Sequence, residues 1–214
     1  MTRKALIIGA TGAIGQTLTL QLLACDQIDQ VVTFTRTPQS IIHPKFVNHQ
    51  IDFDELNINR HLIKGEYLFC CLGTTKKQAG SINAQRMVDL TYQNNVAQIA
   101  KENNVNHLLL VSSSGANASS NNAYLQMKGE LEENIKAKRF NQLSIIQPSL
   151  LIAKRQPLRI GESIGNTLLP LLCQFPFLRK YRPIKVEQVA KKLIEIALNQ
   201  SSSQQTYSLD TLHD

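Results

Sequence analysis

Residues 4–15 read KALIIGATGAIG, in which an apolar run leads into glycines at positions 9, 12 and 15. The run over 4–9 has the composition of a buried strand, and the apolar pattern over 13–24 predicts a helix. Small residues at this junction let backbone N–H groups approach a pyrophosphate, whose charge is favoured at a helix N-terminus. The stretch therefore predicts a dinucleotide-binding loop. The residues expected to hold the dinucleotide are Gly9, Thr11, Gly12, Ala13, Ile14 and Gly15.

Strand and helix patterns continue to alternate along the chain. Further strands are predicted at 30–35, 46–51, 66–72, 107–112 and 143–147, and helices at 83–103, 122–138 and 186–199. Residues 75–80 and 201–205 are predicted as loops. This order predicts an α/β fold: a single Rossmann-type, doubly wound parallel sheet with helices on both faces. We expect one domain over 1–214, in which about 153–185 form a small C-terminal cap on the substrate side.

The end of the second predicted strand indicates which dinucleotide is preferred. An NAD site usually has Asp or Glu there to bind the ribose 2′-hydroxyl, but this chain has Phe34-Thr35-Arg36-Thr37. Arg36 can pair with a 2′-phosphate, so the sequence favours NADP(H) over NAD(H). After the next strand, Asp52 is either an acceptor for the adenine amino group, with Phe53 beside the ring, or a cap of a short helical segment.

A Y-x-x-x-K pattern follows in the helix predicted at 122–138. Tyr124 and Lys128 are four residues apart and share one helix face. The lysine ammonium favours the phenolate form and can also bond a nicotinamide ribose, which suits proton transfer to or from a carbonyl or alcohol oxygen. The preceding strand delivers three serines, and a hydroxyl there could hold the substrate oxygen. Ser113 is the preferred candidate and Ser112 the alternative.

The basic excess of the chain is concentrated towards its C-terminal part. The formal net charge is +7, and two acidic residues, Glu162 and Glu187, face nine basic ones between 151 and 192. This section either attracts an anion, such as a coenzyme phosphate, an acidic substrate, a nucleic acid or a membrane surface, or is a solvated basic face. Nucleic-acid binding ranks low because interleaved aromatics and a recognisable motif are missing. The nine are Lys154, Arg155, Arg159, Arg179, Lys180, Arg182, Lys185, Lys191 and Lys192.

The four cysteines, Cys25, Cys70, Cys71 and Cys173, form no CxxC pair. They predict reduced, buried thiols in a reducing compartment, with neither a disulfide framework nor a metal site. Only four apolar residues separate the basic start from Gly9, too few for a signal peptide, and residues 168–178 are too short to span a membrane. We therefore expect a cytoplasmic protein.

Taken together, these motifs resemble the short-chain dehydrogenase/reductase superfamily, and within it the atypical, HIV Tat-interactive protein-like oxidoreductases. The resemblance covers most of the chain and weakens beyond about Gly161. The segments that carry it are 9–15, 70–75 and 77–80, then 112–117 and 124–130.

The resemblance implies an NADP(H)-dependent oxidoreductase acting on a small-molecule substrate, with Tyr124 and Lys128 as its catalytic pair. It also implies that Leu72 and Gly73 lie in a loop over the coenzyme, and that Leu151 and Arg159 belong to a segment closing over the nicotinamide. One departure is Gln147-Pro148-Ser149, where relatives usually have Arg-Pro-Gly.

The resemblance leaves further alternatives open. Asn95 is either a member of a proton relay or a polar helix residue. Some family members are better known for regulatory binding, so the alternative function is a catalytically weak NADP(H)-binding sensor or scaffold with a protein partner. A homodimer is an expectation at the level of the superfamily.

Overall fold

Seven parallel strands form the central sheet of this protein, whose computed structural model describes residues 2–149, 151–152 and 184–208. The order across the sheet is β3-β2-β1-β4-β5-β6-β9, and two short strands, β7 and β8, pair separately. The chain crosses over after β3, from one edge of the sheet to the other side of β1. The strands are β1 (Lys4–Ile8), β2 (Gln30–Thr35), β3 (Phe46–Gln50), β4 (Tyr67–Cys70), β5 (His107–Val111), β6 (Gln142–Gln147), β7 (Leu151–Ile152), β8 (Ile184–Lys185) and β9 (Gln204–Ser208).

Helices connect most consecutive strands of the sheet, as is usual for parallel pairing, whereas β2 and β3 are joined by residues 36–45 without a helix. The helix predicted at 83–103 is present, but a π-helical turn at Met87–Thr91 interrupts it. A 3-10 helix (Leu56–Leu62) follows β3, and a one-turn helix lies inside the predicted loop 75–80. The α-helices are α1 (Ala13–Leu23), α2 (Lys76–Ala79), α3 (Ile82–Arg86), α4 (Tyr92–Glu102), α5 (Ala123–Ala137) and α6 (Val186–Asn199).

The core consists of two apolar layers, one on each face of the sheet. Alternate residues of β1 point to opposite faces, so Leu6 belongs to one layer and Ile7 to the other. The layer around Leu6 packs against α4 and α5, and the layer around Ile7 packs against α1 and α6. This arrangement confirms the predicted Rossmann-type parallel sheet with helices on both faces.

One prediction about the C-terminal part was wrong. Residues 201–205 are not entirely a loop, because β9 begins at Gln204 and extends the sheet parallel to β6. Four of the five β9 residues are exposed, and only Tyr207 packs against the core. An edge strand of this kind lacks the apolar alternation by which strands are recognised in a sequence.

The predicted cap over 153–185 lies outside the described residues except at its end. Leu151 and Ile152 of β7 pair in parallel with Ile184 and Lys185 of β8, so the start and the end of this segment lie side by side. The division of the chain into one domain over 1–214 stays a prediction.

Candidate active site

The glycine loop between β1 and α1 is tightly folded. Gly9 has a φ of +81°, and the Gly12 amide donates to the Gly9 carbonyl at 3.0 Å. A side chain on Gly15 would meet that carbonyl at 2.1 Å, and one on Gly9 would meet the Cys71 carbonyl carbon at 2.4 Å. The backbone therefore comes so close to itself and to the end of β4 that only glycine fits.

The N-terminus of α1 is open to a ligand. No side chain caps it, and its first turn contains no acidic residue. The first backbone N–H groups of a helix have no partner within the helix and favour an anion. Thr11 and Ala13 are exposed here, whereas Ile14 is buried in the core and could contribute only its backbone. This arrangement fits a dinucleotide pyrophosphate.

Arg36 directly follows β2, the strand next to β1. It is exposed, and no residue that the structure describes forms a hydrogen bond or ion pair with its guanidinium. The backbone beside it is held firmly, because Gln50 donates to the Arg36 carbonyl at 3.1 Å and the Thr35 hydroxyl donates to the Thr37 carbonyl at 2.7 Å. Among the described residues, Arg36 is thus an exposed cation without a hydrogen-bond or ion-pair partner, on a fixed loop.

The two residues predicted at the adenine end are placed differently from each other. Asp52 is exposed, and its Oδ1 accepts from the Asp54 amide at 2.9 Å, which closes a turn before the 3-10 helix. Asp52 does not cap that helix, because its cap position is Glu55 and no side chain bonds its first amides. Phe53 is buried in the core, with its ring centroid 5.5 Å from that of Tyr92. The structure therefore gives both residues a local structural role, and contact with adenine stays a prediction.

The two candidate serines after β5 differ in how their hydroxyls are used. Ser112 is buried and donates to Glu132 Oε1 at 2.5 Å, and Gln147 Nε2 donates to the same carboxylate at 2.9 Å. Ser113 is half-buried, and the bond its hydroxyl makes is a long one of 3.4 Å to the Ser114 carbonyl. The geometry leaves Ser113 rather than Ser112 available to a substrate oxygen.

Tyr124 and Lys128 lie on successive turns of α5. The Asn122 side chain caps this helix by accepting from the Tyr124 amide at 3.0 Å. Tyr124 is 36% exposed, whereas Lys128 is buried, with its Nζ 6.0 Å from the centre of the Tyr124 ring. The lysine Nζ lies 3.0 Å from Asp89 Oδ1. The predicted pair therefore shares one face, but the ammonium is bound by a carboxylate.

Asp89 and Glu132 are functional candidates that the sequence analysis did not identify. Asp89 lies in the π-helical turn and is completely buried. Its Oδ2 accepts from the Thr74 amide at 3.0 Å, in the loop that contains Leu72 and Gly73. Glu132 could have been found, because it lies four residues after Lys128 on the same helix face. Asp89 has no comparable spacing from a residue of a recognised motif.

Other predicted residues occupy varied positions. Leu72 is half-buried and Gly73 exposed in the loop after β4, Leu151 is 37% exposed in β7, and Arg159 and Cys173 lie outside the described residues. Asn95 is exposed on α4, which fits a polar helix residue.

The two thiols at the end of β4 are poor nucleophiles, because the thiolate form is disfavoured. Burial raises the pKa of Cys70 far above its ordinary value and that of Cys71 to about 12, so both stay protonated at neutral pH. Across the described parts of the chain, no group of three or more His, Cys, Asp or Glu side chains could hold a metal ion. No helix among these residues is long and apolar enough to cross a membrane.

One continuous set of contacts joins the glycine loop to the Tyr124–Lys128 pair. Gly9 packs against the backbone of Cys71 and Leu72, the same loop continues to Thr74, and Thr74 bonds Asp89. Asp89 in turn binds Lys128, one helical turn from Tyr124. The carboxyl ends of parallel strands, where these loops lie, are where open α/β sheets bind ligands.

Fold and site together define a dinucleotide-binding protein, and comparison with known proteins gives its family. The NAD(P)H-binding family model matches residues 9–162, so the chain belongs to that family. Rat protein HTATIP2 is 34% identical over 168 residues, which cover 77% of this chain and 69% of the relative. Mitochondrial protein FMP52 of Debaryomyces hansenii is 32% identical over 202 residues, 91% of this chain and 87% of the relative. The resemblance to Tat-interactive protein-like oxidoreductases is thereby confirmed.

Solved structures share the fold at low sequence identity. The Bordetella bronchiseptica enzyme WbmH, in complex with NAD+, superposes with a TM-score of 0.73 at 15% identity, covering 97% of this chain and 76% of that one. UDP-glucose 4-epimerase of Thermotoga maritima gives 0.70 at 10% identity, over 96% and 76%. At this identity the likeness confirms the Rossmann fold.

Proposed function

We propose that this protein is an NADP(H)-dependent oxidoreductase of the short-chain dehydrogenase/reductase type that interconverts a carbonyl and an alcohol on a small molecule. The observation that carries the proposal is the unbroken line of contacts from the glycine loop, through Thr74 and Asp89, to Lys128 and Tyr124. It joins a loop suited to a pyrophosphate to a phenol at the same edge of the sheet.

Each residue has a distinct task in this proposal. The bound coenzyme supplies or accepts the hydride. Tyr124 gives a proton to the substrate oxygen during reduction and takes it back during oxidation. Ser113 donates to that oxygen, while Ser112, engaged by Glu132, keeps the strand end in place. In this proposal Lys128 provides the positive charge beside the phenol and would bond a coenzyme ribose hydroxyl.

The choice of coenzyme is tested at Arg36. We expect NADPH to bind more tightly than NADH, and Arg36→Ala to reduce that preference about tenfold or more, because a charge-assisted bond to the 2′-phosphate is lost. The measurement is fluorescence titration with both coenzymes. Arg60→Ala is the matched control. This exposed arginine pairs with Glu102 at the C-terminal end of α4, which leads to the start of β5. An unchanged preference in Arg36→Ala would refute the NADP(H) assignment.

The chemistry is tested at Tyr124. A screen of carbonyl substrates should find one that is reduced with NADPH, and Tyr124→Phe should lower kcat about a hundredfold or more while leaving NADPH affinity unchanged, because the phenol proton is lost and the ring is kept. The alternative function is a catalytically weak sensor or scaffold. Tight NADPH binding without turnover of any substrate would support that alternative.

Location and assembly belong to the same proposal. We expect a cytoplasmic, homodimeric protein, although the FMP52 relatives are named as mitochondrial. The basic section between 151 and 192 lies mostly outside the described residues. We propose that its positive charge attracts the coenzyme phosphates or an acidic substrate.

A further inference from the structure

A buried carboxylate connects two parts of the site that come from different segments of the chain. Asp89 Oδ1 lies 3.0 Å from Lys128 Nζ on α5, and Asp89 Oδ2 accepts from the Thr74 amide at 3.0 Å in the loop after β4. The side chain of Asp89 is 0% exposed and that of Lys128 is 3% exposed. Burying such a pair requires compensation at both charges, so removal of either one leaves the other uncompensated.

The Thr74 peptide is held from its other side as well. Gln85 Nε2 of α3 donates to the Thr74 carbonyl at 3.1 Å. A side chain on Gly73 would lie 3.6 Å from Asp89 Oδ1, so the loop backbone already packs directly against the carboxylate. The Thr74 peptide is therefore held on one side by α3 and on the other by the π-helical turn.

The π-helical turn gives Asp89 its inward position. Such a turn contains one more residue than an α-helical turn and recurs at functional sites. Asp89 is fully buried here, while its neighbour Met87 is 38% exposed. Gln93 Nε2 donates to the Asp89 carbonyl at 2.9 Å, which stabilises the turn at its end.

We propose that Asp89 is a positioning residue. By binding both the Thr74 amide and the Lys128 ammonium, it holds the loop after β4 and the catalytic lysine in a fixed relative position. The proposal rests on the proposed function for its catalytic consequence, since it assigns Lys128 to catalysis. Its structural content is independent of the coenzyme: the loop after β4 depends on a side chain of the distant π-helical turn.

The direct test is Asp89→Asn, which keeps the shape of the side chain and removes its charge. Without coenzyme, we expect hydrogen exchange in the peptide spanning residues 72–79 to quicken about tenfold, because a bond to a charged acceptor is weakened. We also expect trypsin to cleave more readily after the exposed Lys76 and Lys77. Unchanged exchange in a folded variant would overturn the proposal.

A second variant guards against misfolding. Asp89→Ala combined with Lys128→Met removes both buried charges without enlarging either side chain, and proteins often tolerate the replacement of a buried ion pair by apolar side chains. This variant should show the same fast exchange in residues 72–79. A protected loop in the folded double variant would contradict the proposed role of Asp89.

The matched control is Glu130→Gln. It removes the charge that pairs Glu130 of α5 with Arg86 of α3. This ion pair joins the two helices that also contain Gln85 and Lys128, but it does not contact the loop after β4. We expect wild-type exchange here. If this variant loosens the loop as much as Asp89→Asn does, general loosening of α5 explains the effect and the positioning role is refuted.

Coenzyme binding supplies the functional readout. Asp89→Asn should weaken NADPH binding about tenfold but leave adenosine 2′,5′-bisphosphate binding unchanged, since Arg36 and the loop after β4 lie on opposite sides of β1. Equal weakening of both ligands would contradict the proposal. If the wild-type protein binds neither NADPH nor NADH, the proposed function fails, and the exchange measurement without coenzyme still decides the role of Asp89.

Discussion

His107 is a titratable side chain enclosed between the sheet and α6. It is 0% exposed, and its Nε2 lies 2.7 Å from the Ser144 hydroxyl on the neighbouring strand. Burial lowers the pKa of His107 from 6.5 to about 4. The folded protein therefore keeps this ring neutral at pH values at which the unfolded chain already binds a proton.

This difference predicts how stability depends on pH. Between pH 6.5 and about 4 the unfolded chain holds one proton more at this site, so the free energy of unfolding falls as the pH falls, by about 3 kcal/mol over that window. His107→Asn should flatten the dependence. Urea unfolding at pH 7.5 and 4.5 measures it, with the exposed His61→Asn as control. An equal pH dependence in His107→Asn and wild type would show that another group causes the loss.

Single residues of the site were predictable where a motif fixes their environment. The glycines follow from their spacing at a junction between a strand and a helix. The Tyr124–Lys128 pair follows from its four-residue interval, which places two side chains on one helix face. Asp89 was not found because an acidic residue in a helix is usually exposed, whereas the spacing of Glu132 from Lys128 could have indicated it. The burial of both acidic residues depends on contacts with Thr74 and Ser112, which lie far away in the sequence.

At the scale of elements, the turn after β2 is held by the strands beside it. Asn48 of β3 accepts from the Gln39 amide at 3.1 Å and donates to the hydroxyls of Thr33 and Thr35 at 3.0 and 2.8 Å. These bonds anchor the far end of the turn that carries Arg36. The Asn48 side chain of β3 thus helps to fix the backbone of the turn from which the Arg36 side chain extends.

Asn48→Ala should therefore weaken coenzyme discrimination without touching the coenzyme. We expect the NADPH preference over NADH to fall several-fold, together with about 1–2 kcal/mol of stability, because the Gln39 amide and two threonine hydroxyls lose a partner. Paired titrations and urea unfolding measure the two effects, and the exposed Asn57→Ala is the control. The expectation fails if the preference changes in Arg36→Ala but not in Asn48→Ala.

The long helix before β5 contains a π-helical turn that the sequence pattern did not predict. Its apolar spacing predicts one helix over 83–103, and the structure forms α3, the π-helical turn and α4 over nearly the same residues. One extra residue in a turn rotates the rest of the helix by roughly 100°, but the apolar residues before this turn are too few to show that shift in the sequence pattern. That turn nevertheless places Asp89 inside the site.

For the whole molecule, the sheet was predictable because its central strands are buried on both faces. The residues of β4 and β5 are all buried, and their continuous apolar runs are characteristic of parallel sheets. The edge strand β9 was missed because its exposed Gln, Thr and Ser side chains give no such pattern. Predictability thus declines from the centre of the sheet to its edge.

The pairing of β7 with β8 bears on how proteins of this architecture can diversify. Because Leu151 pairs with Ile184, the 31 residues numbered 153–183 begin and end at a fixed place, whatever their content. Changing the length of a stretch whose two ends are already together costs little free energy. Insertions or deletions between Ile152 and Ile184 should therefore leave the central sheet and the glycine loop in place.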